Sequence, residues 1–165
     1  QQTIVIKRMV ADLNLPVDII ICPTLREADG LAMSSRNTYL DAEHRKAAPV
    51  LYRALTAAKN AFDQGERDGD RLRGIMRGVI EAEPLAKLDY VSAANATTLQ
   101  ELNPLPNPPP STMNPSSVEG APSPQPSPLE KEGVLLSMAV RVGKPRLIDN
   151  FLYQDGQWLT GQIVS

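Results

Sequence analysis

Residues 18–40 read DIIICPTLREADGLAMSSRNTYL. The first five, Asp18 to Cys22, form a short β-branched apolar run. Such a run is expected as a buried strand of parallel type, and Pro23 ends it. Residues 23–40 are polar, carry Gly30 and show no clean period, so they are expected as a loop. In an open α/β sheet, ligands sit outside the carboxyl ends of the strands. The loop therefore starts where a site belongs. Within it, Met33-Ser34-Ser35-Arg36-Asn37 holds hydroxyls, a guanidinium and an amide in consecutive positions. Hydroxyls and backbone N–H groups donate to phosphate oxygens, and arginine adds a fixed fork. Gly30 would let such a loop change its dihedrals on closure. The same Ser-Ser-Arg-Asn also suits an ordinary helix-capping turn, and spacing alone leaves both readings open.

Upstream, Val5, Met9 and Leu13 recur at i, i+4 and i+8, which predicts a helix over 2–13 broken at Pro16. Downstream, Asp41 is a cap candidate for a helix over 42–63 with Ala47, Leu51, Leu55 and Ala58 on one face, stopped at Gly65. A second helix is expected over 70–82, with Leu72, Ile75, Met76 and Ile80 on one side. Residues 88–92, 134–142 and 146–151 read as strands, the last two joined as a hairpin by Gly143-Lys144-Pro145. The expected fold class is thus α/β passing to α+β. Residues 1–24 are the last helix and strand of an α/β unit. Residues 25–151 are expected to form a small α+β domain of two helices and a three-stranded antiparallel sheet, interrupted by the Pro-rich insert 103–133. The tail 152–165 carries no assignment.

Composition bounds the reading. The chain has 165 residues, 42% of them hydrophobic, with one Cys, one His and a formal charge of -2. That content supports a core. One cysteine excludes an internal disulfide framework and a Cys-rich zinc site. The charge balance gives no reason to expect nucleic acid as a partner. The apolar runs are far shorter than the ~20 residues that cross a bilayer. No basic and apolar leader is visible, and a chain opening on Gln reads as processed or as a piece of something longer.

Ten of the fifteen prolines fall in residues 103–133, NPLPNPPPSTMNPSSVEGAPSPQPSPLEKEG. Proline fixes φ and lacks the N–H donor, so local polyproline II stretches are expected there. The stretch reads either as a ligand for a polyproline-reading domain or as a tolerated surface insertion.

The string Pro23-Thr24-Leu25-Arg26-Glu27-Ala28-Asp29-Gly30-Leu31-Ala32-Met33-Ser34-Ser35-Arg36-Asn37 closely resembles the PT-V-RE-x-DGLA-x-SSRN block of the pantothenate synthetase (pantoate–β-alanine ligase) family. Tyr39-Leu40, Leu88-Asp89-Tyr90 and Arg146-Leu147-Ile148-Asp149-Asn150 continue the likeness. Gln1-Gln2 looks like the end of that family's GEKDYQQ motif. The resemblance covers about 1–102 and 134–150 and marks the C-terminal portion of such an enzyme. It implies a nucleotidylyltransferase Rossmann domain, represented here by its last helix and strand, followed by a small lid domain.

It also implies a reaction. ATP with Mg²⁺ activates pantoate to pantoyl adenylate, releasing pyrophosphate. The amine of β-alanine then attacks the adenylate, giving pantothenate and AMP. No prosthetic group and no metal-ligating residue of this chain are implied. By matched position, Leu25, Met33, Ser34, Ser35 and Arg36 contact ATP, with Ser34, Ser35 and Arg36 stabilising charge on the phosphate oxygens. Gln2 matches the pantoate-binding glutamine. Leu25 stands where the family often has Val. The family's HIGH-type motif and the Gly and Lys-Asp part of GEKDYQQ are absent, so the chain is expected to lack synthetase activity alone and to need the N-terminal domain, through which the family's homodimer would form. The compartment implied is the cytoplasm. The alternative is a non-catalytic remnant or interaction module whose exposed feature is the Pro-rich stretch.

Other residues carry plainer expectations. Cys22 is expected to be a buried, inert thiol and His44 an exposed surface histidine. Glu27 and Asp29 would hold Arg26 and the loop, with assistance to Mg²⁺ as the alternative. Glu66, Arg67, Asp68, Asp70, Arg71 and Arg73 read as a solvated cluster. Trp158 either covers a sheet edge or lies in a disordered tail. Residues 1–24, lacking the sheet they would pack against, are expected to be poorly ordered or to promote association.

Overall fold

Two of the helices begin where a short acidic side chain reaches the unpaired N–H groups of a first turn. Asp41 accepts from Glu43 N and His44 N at 3.1 and 2.9 Å, opening α2, Ala42–Ala47. Asp68 accepts from Asp70 N and Arg71 N at 2.8 and 3.1 Å, opening α4, Gly69–Glu81. Between them lies α3, Val50–Asp63. Gly65, at φ +101°, reverses the chain after α3 in the backbone conformation that glycine adopts without strain. The expected single helix over 42–63 is thus two. Pro49 has no N–H to continue the ladder of α2 and serves instead as the N-cap of α3.

The computed structural model describes residues 2–102 and 133–164. All of the Pro-rich stretch except Gly133 lies outside the described residues. Helix α1 spans Gln2–Asp12. The remaining elements are β1 (Leu25–Arg26), a 3-10 helix (Ser35–Tyr39), β2 (Ala86–Asn95), β3 (Val134–Val142), β4 (Arg146–Gln154), β5 (Gln157–Leu159) and β6 (Gln162–Ile163). β2-β3-β4-β5 form an antiparallel sheet in that order, and β1 pairs with β6 in parallel.

Helices α3 and α4 cover one face of the larger sheet. Leu51, Leu55, Ala58 and Phe62 of α3 and Leu72, Met76 and Ile80 of α4 meet Val134, Leu136, Met138, Val140 and Phe151 in one buried cluster. The larger of these side chains contribute about 1.5–3 kcal/mol each in transfer free energy. Asp89 interrupts the β2/β3 register as a bulge between Leu88 and Tyr90. Its carboxylate accepts from Arg146 Nε at 2.6 Å.

Four expectations are corrected. The sheet has four strands because the tail adds β5. Asp155 and Gly156, at φ +53° and +78°, make the two-residue turn whose twist suits a hairpin. Trp158 of β5 sits edge-on to Phe62 at 5.5 Å and donates from Nε1 to Asp63 at 2.8 Å, so it covers the sheet edge. Residues 18–22 are not a strand: no described residue pairs with them, and a parallel strand needs a ladder on its edges. Ile20 is accordingly 83% exposed, and Cys22 is exposed rather than buried. Nor is the charged cluster simply solvated. Arg73 is half-buried and donates to Ala93 O, Leu102 O, Glu101 and Asp70, tying α4 to the end of β2.

Candidate active site

The loop after residue 24 folds back on itself. Met33 N donates to Leu25 O at 2.9 Å, and Gly30 N donates to Glu27 O at 2.8 Å to close the turn. Gly30 sits at φ +88°, and a Cβ there would lie 2.3 Å from the Tyr52 ring. Only glycine permits both the backbone conformation and that approach. Asp29 accepts from Leu31 N at 3.1 Å and from Arg45 at 2.6 Å, while Glu27 takes the other arm of Arg45 at 2.6 Å. Arg45's hydrogen bond holds the Asp29 carboxyl below its ordinary value, and the carboxylates raise Arg45 in return. Glu27 and Asp29 therefore do hold the loop, but through Arg45 of α2 and not through Arg26.

Arg26 goes elsewhere. It is 1% exposed, and its guanidinium meets the Asp149 carboxylate through two bonds, at 2.7 and 2.9 Å. It also donates to Gly30 O at 3.0 Å and to Thr160 O. The rings of Tyr52 and Phe151 lie 5.1 and 5.2 Å from it. This pair fastens the loop to β4.

Between the loop and β4 lies a cleft of about 410 Å³. Met33, Ser34, Arg36 and Asn37 line one side, and Leu147 to Asn150 of β4 line the other. Ser34 caps the 3-10 helix by accepting from Arg36 N at 3.2 Å. The capping reading and the anion reading of Ser-Ser-Arg-Asn are thus compatible, because the cap is what presents Arg36. That side chain donates from one nitrogen to Arg146 O at 3.1 Å, and a guanidinium carries five N–H donors, so others are left for an anion. Asn37 Nδ2 donates to Ala32 O and Glu27 Oε1 at 3.0 and 3.3 Å, bracing the turn from below.

The structure brings together three of the residues expected to act on ATP, Met33, Ser34 and Arg36. Ser35 starts the 3-10 helix and Leu25 lies in β1, half of its surface exposed, and neither lines the cleft. Gln2 lies on α1, which buries no residue, and is not a cleft residue either. His44 is not a free surface histidine. Its Nδ1 lies 2.7 Å from both Asp41 oxygens, and its ring packs against Gly143 in the β3–β4 turn. Among the described residues, no three His, Cys, Asp or Glu side chains gather as a metal site.

Sequence reasoning assigned no site role to Leu147–Asn150 or to Arg26. A signal existed. Leu147, Asp149 and Phe151 occupy the buried phase of β4, and an aspartate in that phase demands a cationic partner.

A four-stranded antiparallel sheet under two helices, with this loop at its edge, defines the class first: the fold is that of pantothenate synthetases. The crystal structure of the enzyme from Thermus thermophilus matches it with a TM-score of 0.69 at 35% identity, over 90% of this chain and 45% of that one. The chain belongs to the pantoate–beta-alanine ligase family, whose family model matches residues 1–152. It is 51% identical over 154 residues to the pantothenate synthetase of Chloroflexus aurantiacus, covering 93% of this chain and 46% of that protein. It is 49% identical over 152 residues to that of Herpetosiphon aurantiacus, covering 92% and 46%. The chain thus spans about half the length of the curated relatives it matches.

Proposed function

We propose that this chain supplies the C-terminal part of an active site that condenses pantoate with β-alanine at the expense of ATP. In this reading residues 1–24 end an N-terminal Rossmann-like domain and residues 25–151 are the lid domain that closes on it. Pantoate's carboxylate attacks the α-phosphorus of ATP and displaces pyrophosphate. The β-alanine amine then attacks the acyl carbon of pantoyl adenylate and displaces AMP. Mg²⁺ enters with the nucleotide. Charge grows on the phosphate oxygens in the first step, and donors fixed in advance at that point lower its barrier. Arg36, Ser34 and Ser35 are the donors proposed, with Leu25 and Met33 as further ATP contacts and Gln2 as the pantoate contact.

The observation that carries this reading is the side-by-side placement of Ser34 and Arg36 on one wall of the cleft, with a 3-10 helix cap fixing both. Family membership supports the substrates. The N-terminal domain is the partner required, a homodimer through that domain is the assembly proposed, and the cytoplasm is the compartment.

The test is pantothenate synthesis from pantoate, β-alanine and Mg-ATP, by the chain alone and mixed with a matching N-terminal half. Activity is expected only in the mixture. There, Arg36→Ala should depress adenylate formation by about a hundredfold, the usual cost of one transition-state donor, while leaving the unfolding midpoint in place. Unchanged activity in Arg36→Ala would remove the assigned role. No activity in either preparation would favour a non-catalytic interaction module.

A further inference from the structure

We propose that the buried Arg26–Asp149 pair is a positioning device for the cleft, setting the distance between the loop that carries Ser34 and Arg36 and the β4 wall opposite. The proposal rests on the functional reading above for its catalytic consequence but not for its geometry. Arg26 and Asp149 are two of only three buried polar or charged residues among those described. A buried ion pair is a poor way to gain stability. Its desolvation cost offsets most of its attraction, and apolar replacements of similar size are often neutral or better. What the pair supplies is direction: two parallel N–H···O bonds admit one relative placement of the groups they join.

The placement is that of the two cleft walls. Arg26 stands in β1 at the root of the loop and also holds Gly30 O, the turn carbonyl that precedes Leu31. Asp149 stands in β4 between Ile148 and Asn150, both of which line the cleft. A second tie, from Arg36 to Arg146 O, crosses the same gap at its exposed mouth. Asp89 in turn fixes the Arg146 side chain. The exposed tie can open to admit a ligand, whereas the buried one packs against the adjoining Tyr52 and Phe151 rings and stays closed. Arg26 and Asp149 touch no substrate in this account. They act through Arg36 and Ser34.

The double variant Arg26→Met/Asp149→Leu separates positioning from stability, because it removes the pair without leaving an orphan charge. The chain should keep its unfolding midpoint within a few degrees. Amide exchange at Gly30 and Met33 should accelerate at least tenfold relative to Val140 in β3. In the mixture with the N-terminal half, kcat/KM for ATP should fall about ten- to a hundredfold, the effect of misplacing a catalytic group by about an ångström. Arg26→Lys, which keeps the charge and loses the fork, should give the same pattern if the double variant fails to fold. Unchanged exchange at Gly30 and Met33 in a folded variant would overturn the proposal. Faster exchange with full activity would overturn it too, because the pair would then order the loop without serving the chemistry. If the unmodified mixture is itself inactive, the functional reading fails, and loop exchange alone decides whether the pair positions the walls.

Discussion

Helices α1 and α3 both carry apolar residues at helical spacing, more sharply segregated in α3, and meet opposite fates. In α3, Val50, Leu51, Ala54, Leu55, Ala58 and Phe62 are all buried against α4 and the sheet. In α1 nothing is buried, and Val5 and Met9 keep 58% and 47% of their surface in water. The segment that follows α1 repeats the contrast, with Ile20 and Ile21 exposed while the β-branched residues of β3 are enclosed. Periodicity states which face needs a partner. It does not state whether the partner is in the same chain. For α3 it is, and the helix contributes to a shared core. For α1 and residues 17–22 no described residue buries the apolar face: Lys7, Ile21 and Cys22 only border an open cavity shared with Leu152, Trp158 and Leu159.

Truncating one side chain in each region should give very different costs. Phe62→Ala removes a ring that touches Tyr153, Trp158 and the guanidinium of Arg67, and should cost about 3–5 kcal/mol in urea unfolding. Ile20→Ser exchanges an exposed side chain and should change stability by less than about 0.5 kcal/mol. A cost of several kcal/mol at Ile20 would mean that the segment packs in solution, against a second copy for instance. Amide exchange gives the same contrast without mutation. β3 should exchange only through global opening, and α1 through local fraying.

Two glycines sharpen it at the next level down. Gly30 has positive φ, and a Cβ would strike the Tyr52 ring; Gly74, inside α4, has nothing within 4 Å of where a Cβ would go. Gly30→Ala should therefore destabilise by about 1–3 kcal/mol. Gly74→Ala should stabilise by about 0.5–1 kcal/mol, because it removes backbone entropy from the unfolded chain at no steric cost. Thermal midpoints of the two variants should move in opposite directions.

The same contrast explains how far the sequence could be read. The α3 and α4 stripes, the β3–β4 hairpin and the Asp41 cap were legible because each is a local pattern with a local cause, whereas Asp68, read as part of a solvated cluster, proves to cap α4. The break at Pro49 was legible in principle, as was the Asp155-Gly156 turn, a hairpin signal flanked by Tyr153 and Trp158 that makes the tail part of the sheet. Residues 18–22 misled because β-branched composition reports a preference for a ladder that other residues must complete. Of the cleft, the loop wall was legible as a run of donors. The β4 wall was legible only in part: an aspartate in the buried phase of the strand calls for a cation, but Arg26, far away in sequence, is identified as that cation only when it reaches Asp149 at 2.7 Å.

Charge offers the smallest test, and again two sites differ in burial. Arg26–Asp149 is enclosed, whereas Arg45–Asp29 has side chains 31% and 41% exposed. The hydrogen bond from Arg45 holds Asp29 below its ordinary value of 3.8, with Leu31 N assisting and partial burial opposing. A carboxyl with a lowered folded-state pKa binds fewer protons folded than unfolded. Its stabilisation is therefore complete above the ordinary value and is lost as pH falls through the folded value. Solvent screens so exposed a pair, and the contribution should stay under about 1 kcal/mol. Arg45→Met should accordingly lower stability slightly near neutral pH, and the difference from the parent chain should close as pH falls through Asp29's lowered folded value. Added salt should narrow it at neutral pH as well. A difference that persists in acid would assign Arg45's contribution to packing of its stem on α2, and the turn at 27–30 would then owe its shape to Gly30 and Arg26 rather than to the exposed clamp.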